Sequence, residues 1–426
     1  MSPTIRTIKA SEILDSRGNP TLMVALTLSD GWVATASVPA GASTGQREAR
    51  ELRDGDPRRY GGKGVLKAAS NINSVISPRL NGLDPRRQAE IDGAMIELDG
   101  TKDKSHLGAN AIVGVSMAVA RAGAHVERLP LYAYLAEGKA HRLPVPMLNV
   151  VNGGAHAQNS IDFQEYMLVP HGAPNFAEAL RYGAETFHSL RQLLHADGLS
   201  TGFGDEGGFA PDLASNSAGC DYIVRAIEAA GFRPGRDISI AIDAAASAFW
   251  REGTYQLDRT NEGQRTAEQM TAFYIDMLER FPIVLLEDGL GENDWEGFRH
   301  HTRELGSRLE IVGDDIYVTN VEMIQRGIAE GTTNAALIKP NQIGTVTETL
   351  AAVSLCRQAD WHFMMSHRSG ETEDSFIADL AVAMGGGQLK AGAPNRGERL
   401  AKYNRLLEIE RELGGDASFT DPFSGR

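Results

Sequence analysis

The chain is poor in cysteine, with only Cys220 and Cys356 among 426 residues. The two share no metal-ligand spacing and each lies in a helix-like run, so they read as packing thiols, consistent with a reducing cytoplasm. Basic residues are outnumbered as well: 42 Lys and Arg face 56 Asp and Glu, for a net charge of −14. That balance argues against non-specific binding to nucleic acid or to an anionic membrane, both of which need basic surface. An anionic substrate would therefore need a local cationic pocket. No stretch approaches about 18 uninterrupted apolar residues, and Met1 to Ala10 carries scattered charge without an apolar signal core. Neither secretion nor membrane spanning is expected, and the expected location is cytoplasmic. Internal repeats and low-complexity segments are also missing.

What is present is ordinary globular composition, 42% hydrophobic and 23% charged, in a chain long enough for two domains. The most informative stretch is Ala335-Ala336-Leu337-Ile338-Lys339, followed by Pro340-Asn341-Gln342-Ile343-Gly344. A short apolar run closing in lysine fits a parallel strand buried on both faces, with its charge at the carboxyl end, where barrel active sites sit. Lysines that end strands are usually surface residues, so the neighbours decide. Ile238 to Ile242 leads to Asp243, Ile283 to Leu286 leads to Glu287, and Ile311 to Gly313 leads to Asp314. Downstream, His362 to Ser366 leads to His367 and Arg368, and Gln388-Leu389 leads to Lys390. Most of these termini recur at intervals of one strand–helix unit. A helical pattern with a Thr266/Gln269 capping box spans Thr266 to Phe281. Together they predict an α/β chain with a (β/α) barrel.

The amino-terminal part reads differently. Thr4 to Ile8, Thr21 to Leu28 and Trp32 to Val38 are strand-like, the last two forming a hairpin across Ser29-Asp30-Gly31. Helical patterns follow at Gly64 to Ile76, Arg86 to Leu98 and Asn110 to Val126. The polar, proline-punctuated stretch from Tyr134 to Pro146 suits a linker, so the expected domains are 1–139, a smaller α+β unit, and 140–426, the barrel.

Several loops could carry chemistry. Ala40 to Gly45, with Ser43, is built of small residues that let a backbone approach a ligand. His156 lies in a glycine-rich loop before a strand-like run that contains Glu165. Glu206 sits with Asp205 among glycines and aromatics, where poor solvation would raise a carboxyl toward general-acid use. Arg368, Ser369 and His367 gather donors suited to an anionic oxygen cluster. No nucleophile-elbow pattern accompanies the histidine, which argues against a Ser-His-Asp hydrolase.

The motifs Leu14-Asp15-Ser16-Arg17-Gly18-Asn19-Pro20, Ala42-Ser43-Thr44-Gly45, Gly204-Asp205-Glu206-Gly207-Gly208, Lys339 to Gly344 and Ser366 to Asp374 together resemble enolase, nearly end to end. The resemblance implies a smaller α+β domain followed by an enolase-type (β/α)8 barrel with irregular first strands. It implies a homodimer or larger homo-oligomer and a reversible hydro-lyase reaction, 2-phosphoglycerate to phosphoenolpyruvate and water. It further implies two Mg2+ per site, one on Asp243, Glu287 and Asp314 and one recruited with substrate at Ser43. Lys339 would take the C2 proton, and Lys390 would share the enolate charge. Glu206 would protonate the leaving hydroxyl, supported by Glu165, His156 and His367. Arg368 and Ser369 would hold the phosphate, with His156, Glu165 and Lys390 also facing substrate, a small phosphorylated three-carbon acid.

Four positions depart from the family's usual pattern: Ala40 and Ala155 replace serines, Ala248 a glutamate and Ala391 a threonine. Each removes polar atoms, at a cost of about 0.5–1.5 kcal/mol per lost hydrogen bond. Such changes leave room for a paralogue acting on another anionic substrate, for example a carboxyphosphonoenolpyruvate synthase of phosphonate antibiotic biosynthesis. A non-catalytic structural protein recruited from an enolase is a further alternative, disfavoured because every assigned catalytic position is retained.

Overall fold

The computed structural model describes residues 3–42, 45–136 and 141–424. Strands Ile5–Leu14, Pro20–Leu28 and Val33–Ser37 form an antiparallel sheet. The first strand is longer than its apolar pattern predicts. Lys9, Ser11 and Glu12 interrupt the alternation, but the register with Leu22 to Ala25 carries the ladder through to Leu14 opposite Pro20. The helix Ala109–Glu127 packs on this sheet and is buried over most of its length. The pattern at Gly64 to Ile76 becomes a broken helix, Leu66–Asn71, then a π turn at Ile72–Ile76 and Ser77–Leu80.

Eight strands close the barrel: Val145–Asn152, Glu165–Val169, Ser239–Asp243, Ile283–Glu287, Glu310–Gly313, Ala335–Ile338, His362–Ser366 and Gln388–Lys390. The second runs antiparallel to both its neighbours, and all other pairs are parallel. The irregular first strands are thus as expected. The first strand was not legible in advance. Val145 and Pro146, read as linker, begin it, because Pro146 needs no ladder donor at the position it takes opposite Leu389. The junction expected at 139/140 lies outside the described residues.

Inward side chains of the strands, among them Met147, Met167, Leu285, Leu337 and Met364, fill the barrel, and Phe423 of the carboxyl-terminal tail joins them from the amino end. The barrel is a packed core whose opposite end is left for chemistry. The predicted capping box at Thr266 and Gln269 is present and starts the helix Ala267–Arg280. The smaller sheet meets the barrel through backbone bonds between Ala40 and Gly370 and between Ser16 and Glu371, and through the Arg121–Asp374 ion pair at 2.7 Å. Among the described residues, no helix is long and apolar enough to cross a membrane.

Candidate active site

The barrel strands deliver their last residues to one end because each side chain there follows a hydrogen-bonded ladder whose register is fixed. Asp243 and Glu287 are paired in register, and Glu165 faces Asp243 from the reversed strand. Reversal matters, since Glu165 is the first residue of its strand yet lies at the same end as the last residues of the others. Asp314, Lys339 and Arg368 follow their strands by one or two residues, and Lys390 ends the eighth.

Lys390 Nζ lies 3.0 Å from Asp243, 2.8 Å from Glu287 and 3.2 Å from Glu165. Lys339 Nζ lies 2.5 Å from Asp314 Oδ2. All six are buried or nearly so. Burial opposes charge on both lysines, but the carboxylates outweigh it, Asp314 for Lys339 and Asp243 for Lys390, and both ammonium groups are held above the ordinary lysine value. The cations Arg368 and Lys390 act to lower Lys339, but each by less than Asp314 raises it. Its close partner is an anion.

The expected metal triad is brought to one end, but its oxygens engage lysines. Among the described residues, the acidic and histidine groups of three whose ligand atoms lie within 4.8 Å of one another are His156–Glu165–Glu206 and Asp288–Asp314–Asp315. Glu287 Oε1 is buried without a hydrogen-bond partner. A buried, unsatisfied carboxylate oxygen beside two further carboxylates is a hard donor set suited to Mg2+. Asp243, Glu287 and Asp314 therefore fit the ion. Ser43, expected to serve a second one, lies outside the described residues.

On the opposite wall, His367 Nε2 is 3.0 Å from Glu206 Oε2, which also accepts from Asn149 Nδ2 at 3.1 Å. Arg399 Nη1 lies 2.7 Å from His367 Nδ1. Arginine only donates, so Nδ1 accepts and His367 carries its proton on Nε2, aimed at Glu206. Burial lowers the His367 imidazolium to about 4, keeping the ring neutral. The sequence suggested that poor solvation would raise Glu206. Burial does push that way, but the His367 side outweighs it, and Glu206 is held well below the ordinary carboxyl value. The raised carboxyl is Glu165, through burial and then the Glu206 charge. His156 Nδ1 lies between them, 3.4 Å from Glu165 and 3.7 Å from Glu206.

Arg368 is buried, with Glu48 against its terminal nitrogens at 3.0 Å. Ser369 Oγ accepts from the backbone N–H of Ala42 at 2.6 Å, which ties the small-residue loop to the site. Every other expected site residue thus reaches one cavity or its rim. Sequence reasoning missed Arg399, hidden in a charged helix start, and Gln164, which donates to Asp243 at 3.3 Å. It also missed Glu48, whose only signal was its place just past the glycine loop. Of the four alanine departures, Ala155 and Ala248 are exposed, where water replaces a lost partner, and Ala40 and Ala391 are buried.

A family model described as the enolase N-terminal domain matches residues 5–135, and one described as the enolase C-terminal TIM barrel domain matches residues 140–424. The chain is 60% identical over 419 residues to Enolase 1 of Methylococcus capsulatus, covering 98% of this chain and 100% of that protein. It is 57% identical over 421 residues to the enolase of Desulfotalea psychrophila, again covering 98% of this chain and 100% of the relative.

Proposed function

The chain belongs to the enolase family, and from that premise we infer that it is a hydro-lyase converting 2-phosphoglycerate reversibly to phosphoenolpyruvate and water with Mg2+. The observation that carries the reading is that one cavity gathers two lysines on carboxylates, Lys339 and Lys390, with a Glu165–His156–Glu206 cluster that meets Lys390 through Glu165. Lys339 suits removal of a proton and Glu206 its delivery.

Asp243, Glu287 and Asp314 would hold one Mg2+ and Ser43 would serve a second, and the bound ions would supply Lewis-acid charge for the substrate carboxylate. Lys339 takes the C2 proton, and Lys390 faces the charge that the carboxylate gains. The C3 hydroxyl leaves as water with a proton from Glu206. Glu165 is held above the ordinary carboxyl value, and His156 stands between it and Glu206. His367, with its tautomer fixed by Arg399, orients Glu206. Arg368 and Ser369 hold the phosphate. No observation favours another substrate or a purely structural role, since half of the alanine departures face solvent.

We further read the chain as two domains joined near 139/140, located in the cytoplasm, where its buried free thiols Cys220 and Cys356 suit a reducing medium. We assign it a homodimer as its minimum assembly, which the exposed Leu14 and Val33 beside an open groove of 770 Å³ support. The function is tested by the ultraviolet absorbance of phosphoenolpyruvate formed from 2-phosphoglycerate. Fast turnover only with Mg2+ is expected. A folded protein with negligible turnover would overturn the reading.

A further inference from the structure

The assignment of Arg368 to the phosphate leaves open what fixes the arginine, and the following rests on that assignment. A guanidinium on a long side chain orients a bidentate anion only when its own plane is held. Here the side chains of Arg368 and Glu48 are 4% and 9% exposed. Glu48 Oε2 accepts from Arg368 Nη1 and Oε1 from Nη2, each at 3.0 Å, in an end-on pair, and Nη1 also donates to Asn341 Oδ1 at 3.1 Å. Glu48 does more than neutralise the cation. Its Oε1 accepts from the backbone N–H of Gly45 at 3.1 Å, at the foot of the small-residue loop, and from Gln342 Nε2 at 3.2 Å. The same Gln342 Nε2 donates to Asp314 Oδ1 at 2.9 Å, and Gln342 Oε1 accepts from Thr319 at 2.8 Å.

We propose that Glu48 is a positioning residue for the dehydration: it sets the plane of Arg368 for the phosphate and, through Gln342, couples that arginine to the metal carboxylate Asp314 and to the loop at Gly45. A carboxylate that merely filled the phosphate position would be free to leave. Glu48 is instead held from three directions, and its departure would strand the Gly45 N–H and take the paired carboxylate from a buried guanidinium, which is costly. It acts as a fixed post.

The test measures binding of inorganic phosphate to the metal-free protein by calorimetry, beside steady-state kinetics with 2-phosphoglycerate. Glu48→Gln is expected to weaken phosphate about five- to tenfold and to raise KM by a similar factor, with kcat changed less than about threefold. Gln342→Leu is expected to leave phosphate binding within about twofold of wild type while raising the Mg2+ concentration for half-maximal rate. Glu48→Gln moves both readouts, and Arg368→Ala removes phosphate binding. Glu48→Asp keeps the charge and covers the case in which the amide fails to fold; it should weaken phosphate in the same sense, by less. Tighter or unchanged phosphate binding in the Glu48 variants would overturn the proposal. An inactive wild type whose phosphate binding still depends on Arg368 and Glu48 would overturn the assigned reaction and leave the post intact.

Discussion

The two ends of the barrel are made from the same eight strands and differ in how completely their polar groups are satisfied. At the amino end, Glu310, His362 and Gln388 each begin a strand. Glu310 pairs His362 Nδ1 at 2.6 Å and accepts from Gln388 Nε2 at 2.8 Å, so both its oxygens are engaged, while Phe423 closes the core. At the carboxyl end, Lys390 serves three carboxylates at once and Glu287 Oε1 is left without a partner. The carboxylate of one end is fully engaged, and the other end keeps a carboxylate oxygen free for a ligand. A buried carboxylate oxygen without a partner is more expensive than the neutral Gln388 amide oxygen left unpaired at the amino end, and it marks where binding energy is to be recovered.

The largest break in this comparison comes from Lys339→Ala. It should abolish exchange of the C2 proton with solvent, read by NMR in deuterated buffer, in a protein still folded by circular dichroism though destabilised by the unpaired Asp314. Undiminished exchange would remove Lys339 as the base. Next is Lys390→Met, which leaves Asp243, Glu287 and Glu165 without their shared cation. Activity should be lost, with destabilisation of about 3–5 kcal/mol in metal-free buffer. Added Mg2+ should recover part of that stability in denaturant melts, and no recovery would argue against Asp243 and Glu287 as ligands. At the opposite end, Phe423→Ala should cost about 2–4 kcal/mol of stability with kcat unchanged. A fall in kcat there would show that the two ends are not separable.

The smallest effect is one of pH. His301, in the helical layer away from both ends, is buried with its Nδ1 on Thr271 at 3.0 Å, and burial lowers it to about 3. An unfolded histidine takes a proton near pH 6.5, so the unfolded state binds more protons between about 6.5 and 3. The contribution of His301 is whole above that window and is lost as pH falls through it. The stability gap between wild type and His301→Gln should therefore narrow on acidification in urea melts, and a gap that widens would reverse the sign.

Much of this was legible in the chain because parallel strands buried on both faces are apolar runs, and polar residues at their ends stand out. Asp243, Glu287, Lys339 and Lys390 could be placed in that way. The first barrel strand could not, since Pro146 and Asn149 break the pattern that register and burial then override. Charge states were the least readable. Poor solvation does act on Glu206, but His367 and then His156, contributed by segments distant in sequence, reverse the outcome. Glu48 was invisible for the same reason, as its partners are contributed by segments distant in sequence.

The reversed second strand ends at Val169, directly beside Ser239 where the third strand starts, so a short hairpin could have joined them. The chain instead climbs and returns. It does so as two packed helices, Phe176–Ala196 and Ala218–Ala229, and Glu206 lies in the turn between them. Glu206 thus stands outside the barrel ladder, on a loop tied back to it by the backbone bonds of Phe209 with Val150 and Asn152 and of Ala393 with Glu206. The arm rests on the barrel at two glycines, where a methyl group would lie 2.0 Å from Leu148 at Gly183 and 2.7 Å from the Tyr166 ring at Gly219. A side chain at either glycine would press the helices off the outer face of the barrel without entering the cavity.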